Sequence, residues 1–255
     1  MKLLSDAAVL QQNEWFRTWF NSSHYHQLYA HRNEEEAGSF INELVAMLEP
    51  KPGSCMLDVA CGKGRHARML AAHGFKVTGI DLAAASIHEA RQYETPSLQF
   101  MEHDMREPFQ QPPVDYVFNL FTSFGYFDTA AENHRVIEMF ARAMKPSATL
   151  VMDYLNVDFA IRSQTEGEIR NVDGIVYGIN RWSDERHLYK RIAIYDAGKD
   201  AAHEWTEKVA RLTLADFTSL FAAHGLKIML TFGDYQLNPY FRYLSPRLIM
   251  IVQKA

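Results

Sequence analysis

Apolar residues change their rhythm along this chain, and the changes mark out its parts. The first 50 residues read as helical. Over 34–48, Phe40, Ile41, Leu44, Val45 and Leu48 share one face, Glu34, Glu35 and Glu36 suit the positive end of the helix dipole, and Asn33 can cap it. Pro50-Lys51-Pro52-Gly53 stops that helix. From Cys55 onward, short apolar runs predict strands over 55–60, 76–80, 98–102, 114–120 and 149–154. Helix-length segments over 64–73, 83–91 and 131–143 lie among them. Alternation of this kind builds a parallel sheet covered on both faces.

After residue 160 the rhythm becomes that of hairpins. Strands over 168–172, 175–182, 187–196 and 203–212 are separated by Asp173-Gly174, Ser183-Asp184 and Ala197-Gly198-Lys199-Asp200. This is an antiparallel meander inserted into an α/β chain. Thr213 then caps a helix to His224, and strands over 226–232 and 248–252, joined by the aromatic loop 233–247, close the chain. The expected organisation is a helical cap (1–50), an α/β core (51–160), the β insertion (161–212) and a C-terminal completion of the core sheet (213–255).

The 255 residues carry 26 Lys+Arg against 31 Asp+Glu, a net charge of −5. That balance offers no basic field for a phosphate backbone, so no nucleic-acid partner is expected. The N-terminal apolar run is broken and too short for a signal peptide, and no run of apolar residues is long enough to span a bilayer, so a cytoplasmic protein with no membrane partner is expected. Cys55 and Cys61 flank one strand, which separates them by about 20 Å, whereas a disulfide needs Cα atoms within about 7 Å. Nothing in the pattern fixes an oligomeric state.

The segment with most chemistry is Leu57-Asp58-Val59-Ala60-Cys61-Gly62-Lys63-Gly64-Arg65-His66-Ala67. Glycines directly after a strand let a ligand approach the backbone, and the next helix presents unpaired N–H groups. A second strand ends in Asp81, where a carboxylate can accept both ribose hydroxyls, and a third ends near Asp104. Three acids at successive strand ends line the carboxyl edge of a parallel sheet, where such folds bind ligands. Residues 62–67 also fit the G-x-G-x-x-A dinucleotide fingerprint, so an NAD-dependent oxidoreductase is the rival reading. Two features favour S-adenosylmethionine. Asp58 stands at the strand end where an NAD site usually has an apolar residue, and the Tyr195-x-x-x-Lys199 pair spans a hairpin turn in place of a helix.

With these motifs the chain resembles the class I S-adenosylmethionine-dependent methyltransferases, from about residue 15 to its end. The resemblance implies a seven-stranded Rossmann-like sheet with the last strand antiparallel. It also implies S-adenosyl-L-methionine as cofactor, with S-adenosyl-L-homocysteine as product. By likeness, Asp58, Ala60, Gly62, Gly64 and His66 form the methionyl loop, Asp81 and Leu82 hold the ribose, Asp104 and Met105 flank the adenine, and Asn119 and Leu120 sit beside the methyl donor. Tyr25-His26-Gln27-Leu28-Tyr29-Ala30-His31-Arg32 resembles the Y-x-x-x-Y segment of small-molecule methyltransferases, including those acting on sugar amines. Tyr25, Tyr29 and Arg32 would then close the methionyl end, although Asn33-Glu34 stands where the sugar-amine enzymes have Lys-Asp. The group sharing LFTSFGY (120–126) and Ser245-Pro246-Arg247-Leu248 has no agreed substrate.

The implied activity is in-line methyl transfer to a nitrogen or oxygen of a small-molecule acceptor, with an RNA or protein acceptor, or a non-catalytic cofactor-binding module, as alternatives. The meander and the loop after Gly233 are expected to cover the sulfonium and form the acceptor pocket. A base is optional, and His66, Tyr126, His134 and His203 are the candidates. No metal site is expected: His24-x-His26 puts two histidines on different helix faces, and His203-Glu204-Trp205-Thr206-Glu207 lacks the second histidine of a zincin helix. Asn238-Pro239-Tyr240 is similar to the motif of nucleobase amine methyltransferases but lies in the wrong loop. The aromatics 121–127 and 235–243 are expected to wall a small-ligand pocket, with core packing a comparable reading for Phe121, Phe124 and Phe127.

Overall fold

The computed structural model describes residues 14–29, 34–165, 167–195 and 203–254. Asn33, Arg32 and the turn 197–200 therefore lie outside the described residues. Three helices come first: α1 (Trp15–Trp19), α2 (Ser23–Leu28) and α3 (Glu34–Leu48). Ser22 caps α2 by accepting from the Tyr25 N–H, and α3 buries Phe40, Ile41 and Leu44.

The core follows as β1 (Cys55–Val59), α4 (Arg65–Ala72), β2 (Lys76–Asp81), α5 (Ala84–Ala90), β3 (Leu98–Glu102), β4 (Val114–Asn119), α6 (Ala130–Ala143) and β5 (Met144–Leu155). A short helix, α7 (Val157–Arg162), which the apolar pattern does not announce, leads to β6 (Glu168–Val172), β7 (Ile175–Ser183), β8 (His187–Tyr195) and β9 (His203–Ala210). The chain returns through α8 (Leu214–Ala222), β10 (Leu226–Phe232) and β11 (Arg247–Lys254). Thr129 and Thr213 each make a full capping box, with Glu132 and Asp216, at the starts of α6 and α8. The fifth strand begins earlier than its apolar run suggests, because Met144 already pairs with Val114; the register then shifts before Thr149 meets Tyr116, across a stretch that holds the left-handed Ser147.

The strands form a seven-stranded sheet in the order β10-β11-β5-β4-β1-β2-β3, with only β11 antiparallel, and a separate four-stranded meander β6-β7-β8-β9. Both agree with the sequence expectation. The chain leaves β1 in one direction toward β2 and reaches β4 on its other side, so the β1 carboxyl end is the topological switch point where open α/β sheets take ligands. Among the described residues no helix is long and apolar enough to cross a membrane, and both cysteines are free thiols.

The meander is held to the core by a small joint. Tyr154 donates from its hydroxyl to the Ala210 carbonyl at 2.6 Å, and the Ala210 N–H donates to the Gly125 carbonyl at 2.7 Å. Gly125 has a left-handed backbone, and a Cβ there would lie 2.6 Å from the Tyr154 oxygen, so the joint requires glycine.

The start of β11 carries a buried ion pair. Arg247 holds Asp153 Oδ1 through Nε at 2.8 Å and Nη2 at 2.7 Å, and Asp153 is 0% exposed. Removing one charge of such a pair strands the other, at about 3–5 kcal/mol. Arg247→Met should therefore lose about that much in urea unfolding, and the double variant Asp153→Leu/Arg247→Met should lose less than the single one.

Candidate functional site

One cavity of about 940 Å³ opens at the carboxyl edge of the large sheet, between β1, β2, the loop after β4, the first helices and the meander. Its floor is built by the glycine turn after β1. Ala60 and Gly62 have left-handed backbones, and nothing lies within 4 Å of the place a Gly62 Cβ would take, so this loop shows bare backbone to the cavity. Gly64 stands outside the lining. Its Cβ would fall 2.4 Å from the Phe100 ring, so it serves the packing of α4 against β3.

Asp81 is oriented by the loops around it. Its Oδ2 accepts from the Gly62 N–H at 2.8 Å and its Oδ1 from the Ala83 N–H at 2.7 Å. The Leu82 N–H is a further backbone donor to this carboxylate, whose two oxygens offer about four acceptor sites between them. Burial raises the Asp81 pKa, opposed by those backbone donors. Asp58, deeper and 1% exposed, has an Oδ2 with no partner. Burial, and then the charge of Asp81, push its pKa up to about 7. Cys61 is raised by the same burial and acids, so its thiol is no nucleophile. His66 is forced the other way: burial and Arg65 push it down to about 3, and its Nε2 is unpartnered.

The loop after β4 is the most contorted part of the wall. Phe121 and Thr122 have successive left-handed backbones, conformations costly for side-chain-bearing residues. The loop is pinned from beneath. Asp153 Oδ2 accepts the Phe121 N–H at 2.8 Å, the Asp153 carbonyl accepts the Thr122 N–H at 2.9 Å, and Arg247 reaches Thr122 Oγ1 at 2.9 Å. Phe121 is thereby laid against His66, with ring centres 4.9 Å apart. Asn119 is fully buried behind this wall, its amide joining the Val59 and Ser123 carbonyls, so it braces the two strand ends and is not on the cavity surface.

The described residues of the first helices supply an aromatic side: Trp15, Phe16 and Phe20 surround Tyr126, and Tyr25 and Tyr29 sit 4.9 Å apart. Leu82, Met105 and Leu120 also line the cavity, so the structure gathers Tyr25, Tyr29, Asp58, Ala60, Gly62, His66, Asp81, Leu82, Asp104, Met105 and Leu120 around one space.

A methyltransferase domain matches residues 56–147. The chain is 25% identical over 214 residues to the dTDP-3-amino-3,4,6-trideoxy-alpha-D-glucopyranose N,N-dimethyltransferase of Streptomyces venezuelae, covering 80% of this chain and 89% of that one. It is 28% identical over 192 residues to the dTDP-3-amino-3,6-dideoxy-alpha-D-glucopyranose N,N-dimethyltransferase of Streptomyces fradiae, covering 72% and 74%. In fold it is similar to an S-adenosylmethionine-dependent methyltransferase from Clostridium acetobutylicum (TM-score 0.74, 14% identity, 91% and 97% covered). It is similar also to an amino pentose methyltransferase from Micromonospora echinaspora solved with S-adenosylmethionine bound (TM-score 0.68, 21% identity, 92% and 98% covered).

Residues 56–147 are a methyltransferase domain, in a chain with the fold of the S-adenosylmethionine-dependent methyltransferases.

Several details of the methyltransferase differ from what its sequence suggests. Asp104 is already engaged: Arg106 reaches both of its oxygens and Arg17 reaches Oδ2 at 2.9 Å. Burial opposes its charge, but these arginines hold its carboxyl below the ordinary value. The loop after Gly233 does not line the cavity. Tyr235 stacks on Phe121 at 4.9 Å and turns its hydroxyl to Asp153, so the loop buttresses the wall from behind. His134 of α6 pairs with His224, two residues past the end of α8, and His203 is exposed at the start of β9, so neither His134 nor His203 reaches the cavity. Phe121, in the aromatic stretch expected to wall a pocket, does line the cavity. Arg181, Lys190 and Glu207 of the meander also line the cavity without having been singled out.

The raised Asp58 pKa makes a stability prediction. Between about pH 4 and 7 the native state keeps a proton that the unfolded chain has released, so stability should fall as pH rises through that window, by up to roughly 4 kcal/mol. Melting of the ligand-free protein from pH 4 to 8 should show this fall, and Asp58→Asn should flatten it.

Proposed function

We propose that this methyltransferase transfers its methyl group to a nitrogen of a small polar molecule. The observation that carries the reading is the continuity of the cavity, which runs from Asp58, Gly62 and Asp81 to the inner face of the meander. Its volume of about 940 Å³ lies near the top of the small-molecule range, which suits two ligands meeting end to end. The amino-sugar N,N-dimethyltransferases among the relatives support nitrogen over oxygen.

The residues present fit the cofactor. The Asp81 carboxylate, fixed by backbone donors at the cavity wall, suits a pair of ribose hydroxyls, and the bare Gly62 backbone leaves room for the methionyl chain. The unpartnered Asp58 Oδ2 is a buried acceptor awaiting a donor, and a ligand ammonium supplies one. Leu82 and Met105 offer apolar surface for a base, whereas Asp104 would receive the adenine amine only after Arg17 gives way. When bound, S-adenosylmethionine supplies a methyl carbon activated by its sulfonium.

The chain's own part is alignment and exclusion of water. Trp15, Phe16, Phe20 and Tyr126 close one side with rings, and Tyr126 is held by donating to the Thr122 carbonyl. His66, neutral at physiological pH, is better suited to hydrogen bonding than to taking a proton. Gly64 and Asn119 act from behind the surface, by packing and by bracing.

Calorimetry with S-adenosylmethionine, S-adenosylhomocysteine and NAD tests the cofactor half. The two adenosyl ligands should bind and NAD should not, and Asp81→Ala should weaken adenosyl binding about a hundredfold through two lost hydrogen bonds. Affinity for S-adenosylmethionine should be about tenfold lower at pH 6 than at pH 8, because the ammonium favours ionised Asp58. S-adenosylhomocysteine release during incubation with small amines, phenols and carboxylates tests the acceptor half, and turnover confined to hydroxyl compounds would overturn the choice of nitrogen.

A further inference from the structure

The inward face of the meander is apolar on alternate residues, as a sheet packed on a core must be. Tyr177 and Ile179 on β7, Ile192 and Ile194 on β8 and Trp205 on β9 share it, and Ile179, Ile192 and Trp205 form one cross-strand row. The adjacent inward row breaks the pattern. Arg181 is paired with Lys190 and Lys190 with Glu207, three charged residues in register, and all three line the cavity. Their side chains are only 27%, 16% and 16% exposed.

Apolar packing does not call for this row. Like charges directly opposite on a ladder repel, and Arg181 faces Lys190. Each cation has its carboxylate on the far side. Arg181 holds Glu168 of β6 at 2.8 Å, and Lys190 lies 3.8 Å from Glu207 Oε2 while donating to the Tyr29 hydroxyl. Glu207 is itself fixed by its other oxygen: Oε1 accepts from Trp19 Nε1 and from the Tyr29 hydroxyl, each at 2.7 Å. Oε2 is thus held in place with room to accept more. A centre of positive charge and an oriented carboxylate stand side by side on strands about 4.8 Å apart, within the span of one small molecule.

We propose that the Arg181–Lys190–Glu207 row is the acceptor subsite, and that the acceptor is an amine bearing an anionic group, its nitrogen held at Glu207 and its anion between Arg181 and Lys190. The proposal rests on the methyl-transfer reading and narrows it from a polar amine to one with a carboxylate or phosphate. Tyr29 links the subsite to the aromatic side of the cavity, so the amine end lies beside the helices that close over the cofactor half.

The test is calorimetry on the full chain saturated with S-adenosylhomocysteine. Glucosamine 6-phosphate and β-alanine serve as amine-bearing anions, and glucosamine and glucose 6-phosphate as controls lacking one charge each. At least one amine-bearing anion should bind tenfold or more tightly than either control, which also tells phosphate from carboxylate. Glu207→Gln and Arg181→Gln should each weaken that binding at least tenfold, the scale of one charged hydrogen bond, and Arg181→Gln should leave S-adenosylhomocysteine affinity unchanged. Arg181→Lys should recover part of the loss. Equal binding of glucosamine, no binding of either amine-bearing anion, or unaltered affinity in both Gln variants overturns the proposal. If the unaltered protein fails to bind S-adenosylhomocysteine, the methyl-transfer reading falls with it.

Discussion

The Asp153 carboxylate, buried near the carboxyl end of β5, is the point on which the site depends. One oxygen is held by Arg247 at the start of the antiparallel β11, and the other accepts the Phe121 N–H. A buried carboxylate is costly unless paired and hydrogen-bonded, and here the groups that satisfy it are those that need fixing. Phe121 and Thr122 occupy backbone conformations that their side chains disfavour. Their strain is sustained because Asp153 and Arg247 hold three groups of the loop at once. The antiparallel strand therefore does more than complete a sheet: it carries the arginine that shapes the cavity wall.

A second dependence joins the two sheets. The Tyr154 hydroxyl, the Ala210 backbone and Gly125 form a joint just large enough for a glycine. It lies one residue beyond Asp153, so the strand that shapes the wall also docks the meander. The described residues of the N-terminal helices fill the remaining gap, where Trp19 reaches Glu207 and packs on Trp205. Core, cap and meander thus meet around a single space, with the cofactor motifs on one side and a row of opposite charges on the other.

The electrostatics of the two sides differ. Around β1 and β2, burial raises the Asp58 carboxyl and keeps His66 uncharged, and Asp58 Oδ2 is left without a protein partner. On the meander, charges are already paired and only partly buried, an arrangement suited to exchanging one ionic partner for another. Arg106 and Arg17 likewise occupy Asp104, so an adenine amine at that acid would compete with protein donors already in place.

The sequence by itself determined the sheet types, the strand-end acids and the glycine turn. Each is written in local periodicity or in short-range backbone need, which neighbours along the chain decide. Thr213 as a cap, and the meander's turn residues, were legible for the same reason. Tertiary structure alone decided what the motifs do once assembled. It moved Gly64 and Asn119 behind the surface, turned the 233–247 loop into a buttress, and gave Asp104 to arginines. It also joined the 120–126 segment to Arg247, explaining why those two distant stretches belong together. Arg181, Lys190 and Glu207 carried a faint signal, charged residues on the inward parity of apolar strands. Their meaning appeared only through register, because cross-strand neighbours are set by pairing between strands and not by spacing along the chain.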